Sequence, residues 1–157
     1  MAARTADAII NSYSNPVVIT VPVEGADEFY RGAVVWTDLT NNGKATVAPA
    51  SGDRPLGICT HHQTTTAAND EIEVVVNGIV EVPCAATITA ADNSSLLVYD
   101  VNVAITDNTA DAVSDLDATL EASDAVLGRI LRADGSFAVI ELSNLTGRIY
   151  SATLGWV

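Results

Sequence analysis

EIEVVVNGIVEV, residues 71–82, is the stretch on which the reading of the whole chain turns. Its first half alternates charged and apolar residues and then becomes continuously apolar, which is the pattern of a strand with at least one buried face. Asn77 and Gly78 break the run. Both residue types tolerate the positive φ angles of a type I′ turn, so the segment predicts a hairpin of strand 71–76, turn, and strand 79–82. Pro83 lacks an N–H for the ladder and is expected to end the pairing.

Working outward, AAND (67–70) reads as a turn and PLGICT (55–60) as a short apolar strand. Further toward the N-terminus, RGAVVWT (31–37), the turn Asn41, Asn42, Gly43 and the run KATVAP give a second strand, turn, strand unit. In VVITVPV (17–23), Pro22 is incompatible with a central position, so an edge strand or extended segment is expected. On the C-terminal side, 85–91 fits either a strand or a short helix, and LLVYDVNVAI (96–105) shows the period of two that marks a half-buried strand. Residues 106–124 are rich in Asp, Ala, Ser and Thr and fit either a long surface loop or one short helix around 118–122. AVLGRILR (125–132) and SFAVIEL (136–142) flank Ala133, Asp134 and Gly135, a last tight hairpin. The expected fold is all-β, a small β-barrel or β-sandwich over 17–142, with an N-terminal arm (1–16) and a C-terminal tail (143–157). PLGICT with EIEVVV, and VLGRIL with FAVIEL, form an internal echo, read here as two hairpins of one fold sharing the same grammar rather than as a duplication.

The 157 residues suffice for one domain with a real core, and 48% are hydrophobic, so the chain is expected to fold despite its acidity. Its formal charge of -13, with no lysine or arginine between Pro55 and Gly128, opposes binding to nucleic acid or anionic lipid, which need a positive stripe. No apolar run has the length of a membrane span, and MAARTADAII lacks the uninterrupted apolar segment of a secretory signal, so synthesis in the cytoplasm is expected. Cys59 and Cys84 each fall in or beside a β-type run, where a reduced thiol acts as a small apolar group.

The parts of known chemistries are missing. His61 and His62 are adjacent, and on an extended chain neighbouring side chains point to opposite faces, so they do not chelate one metal together. There is no G-x-S-x-G elbow, no glycine-rich phosphate loop and no calcium-loop order in the acidic series Asp107, Asp111, Asp115, Asp117, Glu121 and Asp124. A catalytic site would have to be assembled from carboxylates such as Glu71, Glu73 and Glu81, which is also how a solvent-facing strand looks. No enzyme activity, metal or cofactor is expected. Large apolar and aromatic groups concentrate toward the two ends: Ile9, Ile10, Tyr13, Phe29, Tyr30 and Trp36 at the front, and Tyr150, Leu154 and Trp156 in the tail. Such terminal groups dock on their own domain or on a neighbour, and these nine are the candidate contacts.

The series RGAVVW, PLGICT, ANDEIEVVVNGIVEVP, VLGRIL and FAVIEL resembles the small β-rich capsid decoration, or cement, proteins of tailed phages, with the match carried by residues 32–35, 56–58, 74–82 and 127–130. The resemblance implies a β-domain, often trimeric, on the outer surface of an expanded phage head, where it binds the major capsid protein, ties neighbouring subunits together and has no enzyme activity. The acidic segment 106–124 and the long tail depart from the smallest members of that family. An arm such as 2–16 could add a strand to an exposed edge of the shell protein. The alternative reading is a surface β-sandwich that binds carbohydrate or a host receptor, with Trp36 or Trp156 stacked on a sugar.

Overall fold

The computed structural model describes residues 7, 14–48, 53–83, 96–100, 111–112, 124–142, 146, 150–151 and 155–156. All of the described regular structure is strand: β1 (Val17–Pro22), β2 (Glu28–Phe29), β3 (Val34–Asp38), β4 (Lys44–Thr46), β5 (Arg54–Ile58), β6 (Gln63–Thr64), β7 (Glu71–Pro83), β8 (Leu96–Asp100), β9 (Asp111–Ala112), β10 (Asp124–Ala133), β11 (Phe137–Leu142), β12 (Tyr150–Ser151) and β13 (Gly155–Trp156). The fold is all-β. Nine strands form one sheet in the order β4-β3-β5-β7-β11-β10-β8-β9, with β1 attached to β7 alone; β2-β6 and β12-β13 are separate pairs. The ladders between strands are antiparallel. Among the described residues the sheet does not close into a barrel, and a parallel bridge, Val23 to Ala45, brings the chain beyond β1 against β4.

The hairpin expected at Asn77 and Gly78 does not form. Residues 71–83 are a single strand of 13 residues. A type I′ turn needs positive φ at both central residues, and only Gly78, at φ 123°, has one here. Asn42 and Gly43, at φ 57° and 73°, satisfy that requirement and make the β3-β4 turn. At Asn77 and Gly78 the strand instead changes neighbours. Its first half pairs with β1 from Pro22↔Glu71 to Val18↔Val75, and its second half pairs with β11 from Gly78↔Leu142 to Pro83↔Phe137.

Gly78 also marks a change of layer. Ile72 and Val74 pack in one buried cluster with Val23, Phe29, Val35 and Cys59, with Val76 packed against it. Val80 and Val82, on the same face by the period of two, belong to a second cluster with Trp36, Ile58, Leu127 and Ile140. A bent strand shared by two sheets is a known way to build the corner of a sandwich. Strand β3 separates the same two clusters, Val34 and Trp36 facing one and Val35 the other.

The other turns form where expected. Asn69 takes φ 71° in the 67–70 turn, and Gly135 takes φ 85° between β10 and β11. Aspartates hold these turns by accepting backbone N–H groups. Asp38 Oδ1 accepts from Thr40 and Asn41, Asp70 Oδ2 from Thr66 and Ala67, and Asp134 Oδ1 from Ser136 and Phe137. Pro22 ends β1, a strand that among the described residues has a ladder on one side only, which agrees with the edge position expected for it. Residues 85–91 and 118–122 lie outside the described residues, as does Cys84; within the acidic segment, β9 pairs with β8.

Candidate docking surface

Strand β1 reads VVITVP, apolar at positions of both faces, so packing one face leaves apolar groups on the other. Val17 is 51% exposed and Val18 48%; Leu39, at 53%, is the other large hydrophobic exposed among the described residues. The inner edge of β1 is spent on β7, and among the described residues its outer edge is met only past its end, where Val23 bridges Ala45 of β4 and the Glu24 N–H donates to the Ala45 carbonyl. An open edge with apolar side chains is a template for another chain.

The arm is tied to this region at two points. Ser14 Oγ accepts the Ile79 N–H at 2.8 Å, just beyond the end of the β1-β7 ladder. Asp7 Oδ1 accepts the Arg31 N–H at 2.8 Å, and its Oδ2 lies 3.5 Å from His62 Nδ1. His62 in turn stacks on Tyr30, with ring centroids 4.7 Å apart and planes tilted by 42°. Tyr30 donates its hydroxyl to Glu28, and that hydrogen bond raises the phenol above its ordinary range. His61 faces Glu73 at 3.7 Å. The two histidines therefore contact different carboxylates on different elements. Among the described residues no group of three or more His, Cys, Asp or Glu is placed to hold a metal.

The structure divides the nine sequence-derived contacts. Phe29 and Trp36 are fully buried, which corrects the expectation that they contact a partner. Trp36 sits in a strand covered on both faces, and Phe29 points from the short β2, whose other residue Glu28 is exposed, into the other cluster; burial of so large a side chain is worth more to the fold than exposure. Tyr30 is half-buried and remains on the surface beside the arm. Tyr150 and Trp156 are register partners in β12 and β13. Ile9, Ile10, Tyr13 and Leu154 lie outside the described residues. Val17, Val18 and Leu39 are exposed contacts that the sequence reading, confined to large groups near the two ends, does not include; for Val17 and Val18 the available signal is an edge strand without polar alternation.

Cys59 is buried, and its thiol points to the His61 carbonyl at 2.8 Å while accepting from Gln63 Nε2 at 3.2 Å. Burial pushes the thiol up, so the reactive thiolate is suppressed. Gln63 also clamps β7, accepting the Glu73 N–H and donating to its carbonyl. These bonds tie the 59–70 loop to β7, forming a ledge that meets Asp7 through His62. Comparison of the chain with protein-family models, curated proteins and solved structures gives no match.

Proposed function

We propose that this protein is a structural virion component that docks on the outer surface of an expanded phage capsid and braces contacts between major capsid subunits. The observation that carries the reading is β1, an edge strand that holds Val17 and Val18 about half exposed beside the anchored arm. Backbone groups on such an edge supply affinity and the flanking valines supply a small apolar contact. A ligand that binds the mature lattice better than the unexpanded one stabilises the mature lattice by linkage, and many copies of a weak contact add up. The charge of -13 keeps the protein away from packaged nucleic acid and leaves protein as its partner. Self-association, with a trimer as the expected form, belongs to the same reading. Burial of Trp36 removes one of the two tryptophans on which a carbohydrate-binding surface would rest.

The test is co-sedimentation of the purified protein with expanded, decoration-free heads, with unexpanded heads and with free major capsid subunits. Saturable binding to expanded heads alone is the expected result. Absence of binding to every form of the cognate shell would refute the proposal and direct attention to glycan and receptor ligands.

A further inference from the structure

We infer that the chain is a tandem duplication: one five-strand unit, made of β1, β3, β4, β5 and the first half of β7, is repeated as the second half of β7, β8, β9, β10 and β11. Shared hairpin grammar accounts for two strands and a turn in each half, but it does not set the register of the remaining ladders.

Register is where the correspondence lies. In the first unit β1 pairs with 71–75 from Pro22↔Glu71 to Val18↔Val75; in the second, 79–83 pairs with β11 from Pro83↔Phe137 to Ile79↔Glu141. The leading sequences are VITVP (18–22) and IVEVP (79–83), proline on proline. Next, VVWTD of β3 stands against LLVYD of β8. Each is paired with a strand interrupted at the same place: Val35↔Gly57 and Trp36↔Pro55 leave Leu56 as the extra residue, while Leu97↔Gly128 and Val98↔Val126 leave Leu127. After each bulge a glycine lies under a backbone carbonyl. A Cβ on Gly57 would be 2.0 Å from the Val75 oxygen, and one on Gly128 2.6 Å from the Glu141 oxygen. Val75 and Glu141 are themselves equivalent by the ladder register.

The interiors correspond as well. Val21, Leu56, Cys59, Ile72, Val74 and Val76 are in, or packed against, one cluster; their counterparts Val82, Leu127, Ile130, Ala138, Ile140 and Leu142 are all in the other. Val18 lies beside Val75 within the first unit, as its counterpart Ile79 lies beside Glu141 within the second. The sheet order reads the same from either end under this correspondence, β4-β3-β5-β7 against β9-β8-β10-β11.

The copies differ in three connections, the first by a single residue, since the displacement is 61 at β1 (Pro22 to Pro83) and 62 at β3 (Val34 to Leu96). Between β3 and β5 the displacement grows from 62 residues (Val34 to Leu96) to 71 (Gly57 to Gly128), a nine-residue excess in the second copy that falls in the acidic segment. Between β5 and β7 it shrinks to 66 (Val75 to Glu141), a five-residue excess in the first copy that contributes to the ledge carrying His61 and His62. The copies also differ on the face opposite their matched clusters, where buried Ile58 and Val75 of the first stand against exposed Arg129 and half-buried Glu141 of the second.

The test exchanges strands within the full chain. One variant interchanges residues 18–23 and 79–84 in register, so that VITVPV and IVEVPC trade places; a control makes the same interchange displaced by one residue, which turns every side chain to the opposite face. A one-way graft of VITVPV onto 79–84, with its own displaced control, leaves β1 and the arm junction untouched. The in-register variants should retain the β-sheet circular dichroism of wild type and a cooperative urea transition whose midpoint falls by less than about 1 M. The displaced variants should lose the transition. If the in-register one-way graft fails to fold, or tolerates displacement as well as register, the duplication is refuted.

Discussion

Replacing Gly57 by alanine should be among the most damaging single-methyl additions available to this protein. The ideal Cβ would stand 2.0 Å from the Val75 carbonyl oxygen and 2.9 Å from Val74 Cγ1, against an ordinary contact of at least 3.4 Å. Strand β5 must therefore retreat from β7 by more than 1 Å at the point where Ile58↔Val75 is their only register pair. Ile58 sits in one buried cluster and Cys59 in the other, so a retreat loosens both. Overpacking of this kind costs about 1–3 kcal/mol and more when backbone rather than a flexible side chain is struck, so roughly 3–5 kcal/mol is expected, offset by about 0.5–1 kcal/mol from replacing glycine in a strand. Gly128→Ala meets the Glu141 oxygen at 2.6 Å and should cost less, about 1–3 kcal/mol; Gly25→Ala meets nothing within 4 Å and should be neutral within about 0.5 kcal/mol. Urea midpoints of the three variants, read with their slopes, give the order directly. A Gly57→Ala protein as stable as Gly25→Ala would refute the close approach of β5 and β7.

Val18→Lys, at an exposed position, should leave the urea midpoint within about 0.5 kcal/mol of wild type while abolishing saturable sedimentation with expanded heads; unchanged sedimentation would remove β1 from the docking surface. In a Cys84→Ser background, Cys59 should react with a disulfide reagent only as fast as the protein opens, because burial raises its thiol and shields it; immediate reaction in the native state would contradict the placement of Cys59. The carboxyls of Asp70 and Asp134 are lowered chiefly by N–H groups they accept, from Thr66 and Phe137 respectively. A lowered folded value means stability that is present above the ordinary 3.8 and lost as pH falls through the folded value, so Asp134→Asn should lower the midpoint at pH 6 and converge with wild type below pH 3.8. A difference that persists unchanged at pH 2 would argue against the turn contact. Arg129→Ala, which removes the 2.9 Å pair with Glu141 across β10 and β11, should cost less than about 1 kcal/mol because both side chains are well exposed.

Much of the strand map was legible because its signals are local. Alternation placed the first half of β7 and β8 on the sequence, the turn at 133–135 placed β10 and β11, and Asn42-Gly43 and Asp134-Gly135 each carry residues suited to their turns. Pro22 announced an edge because a residue without an N–H cannot serve two neighbours. The candidate surface was less legible. Aromatic size marked Phe29 and Trp36, yet size favours burial as strongly as contact, and both side chains point into buried clusters. The Leu-Gly echo was visible as composition, whereas its meaning resides in two bulges and two glycines held under carbonyls, which no window of sequence displays.

Asn77 and Gly78 separate the two kinds of information. The sequence alone determined that the chain is all-β, where most strands run, that β1 lies at an edge, and that a glycine capable of unusual φ stands at 78. Only the tertiary structure decided whether that glycine turns the chain back or bends it onward. Local propensity permits both. The outcome depends on which segments occupy the edges of 71–83, and β1 and β11, some 60 residues away on either side, fill them before 71–76 and 79–82 can fill each other's. Periodicity and turn chemistry are short-range and survive in the sequence; competition for hydrogen-bonding edges and for buried volume is long-range and is resolved only when the distant strands arrive.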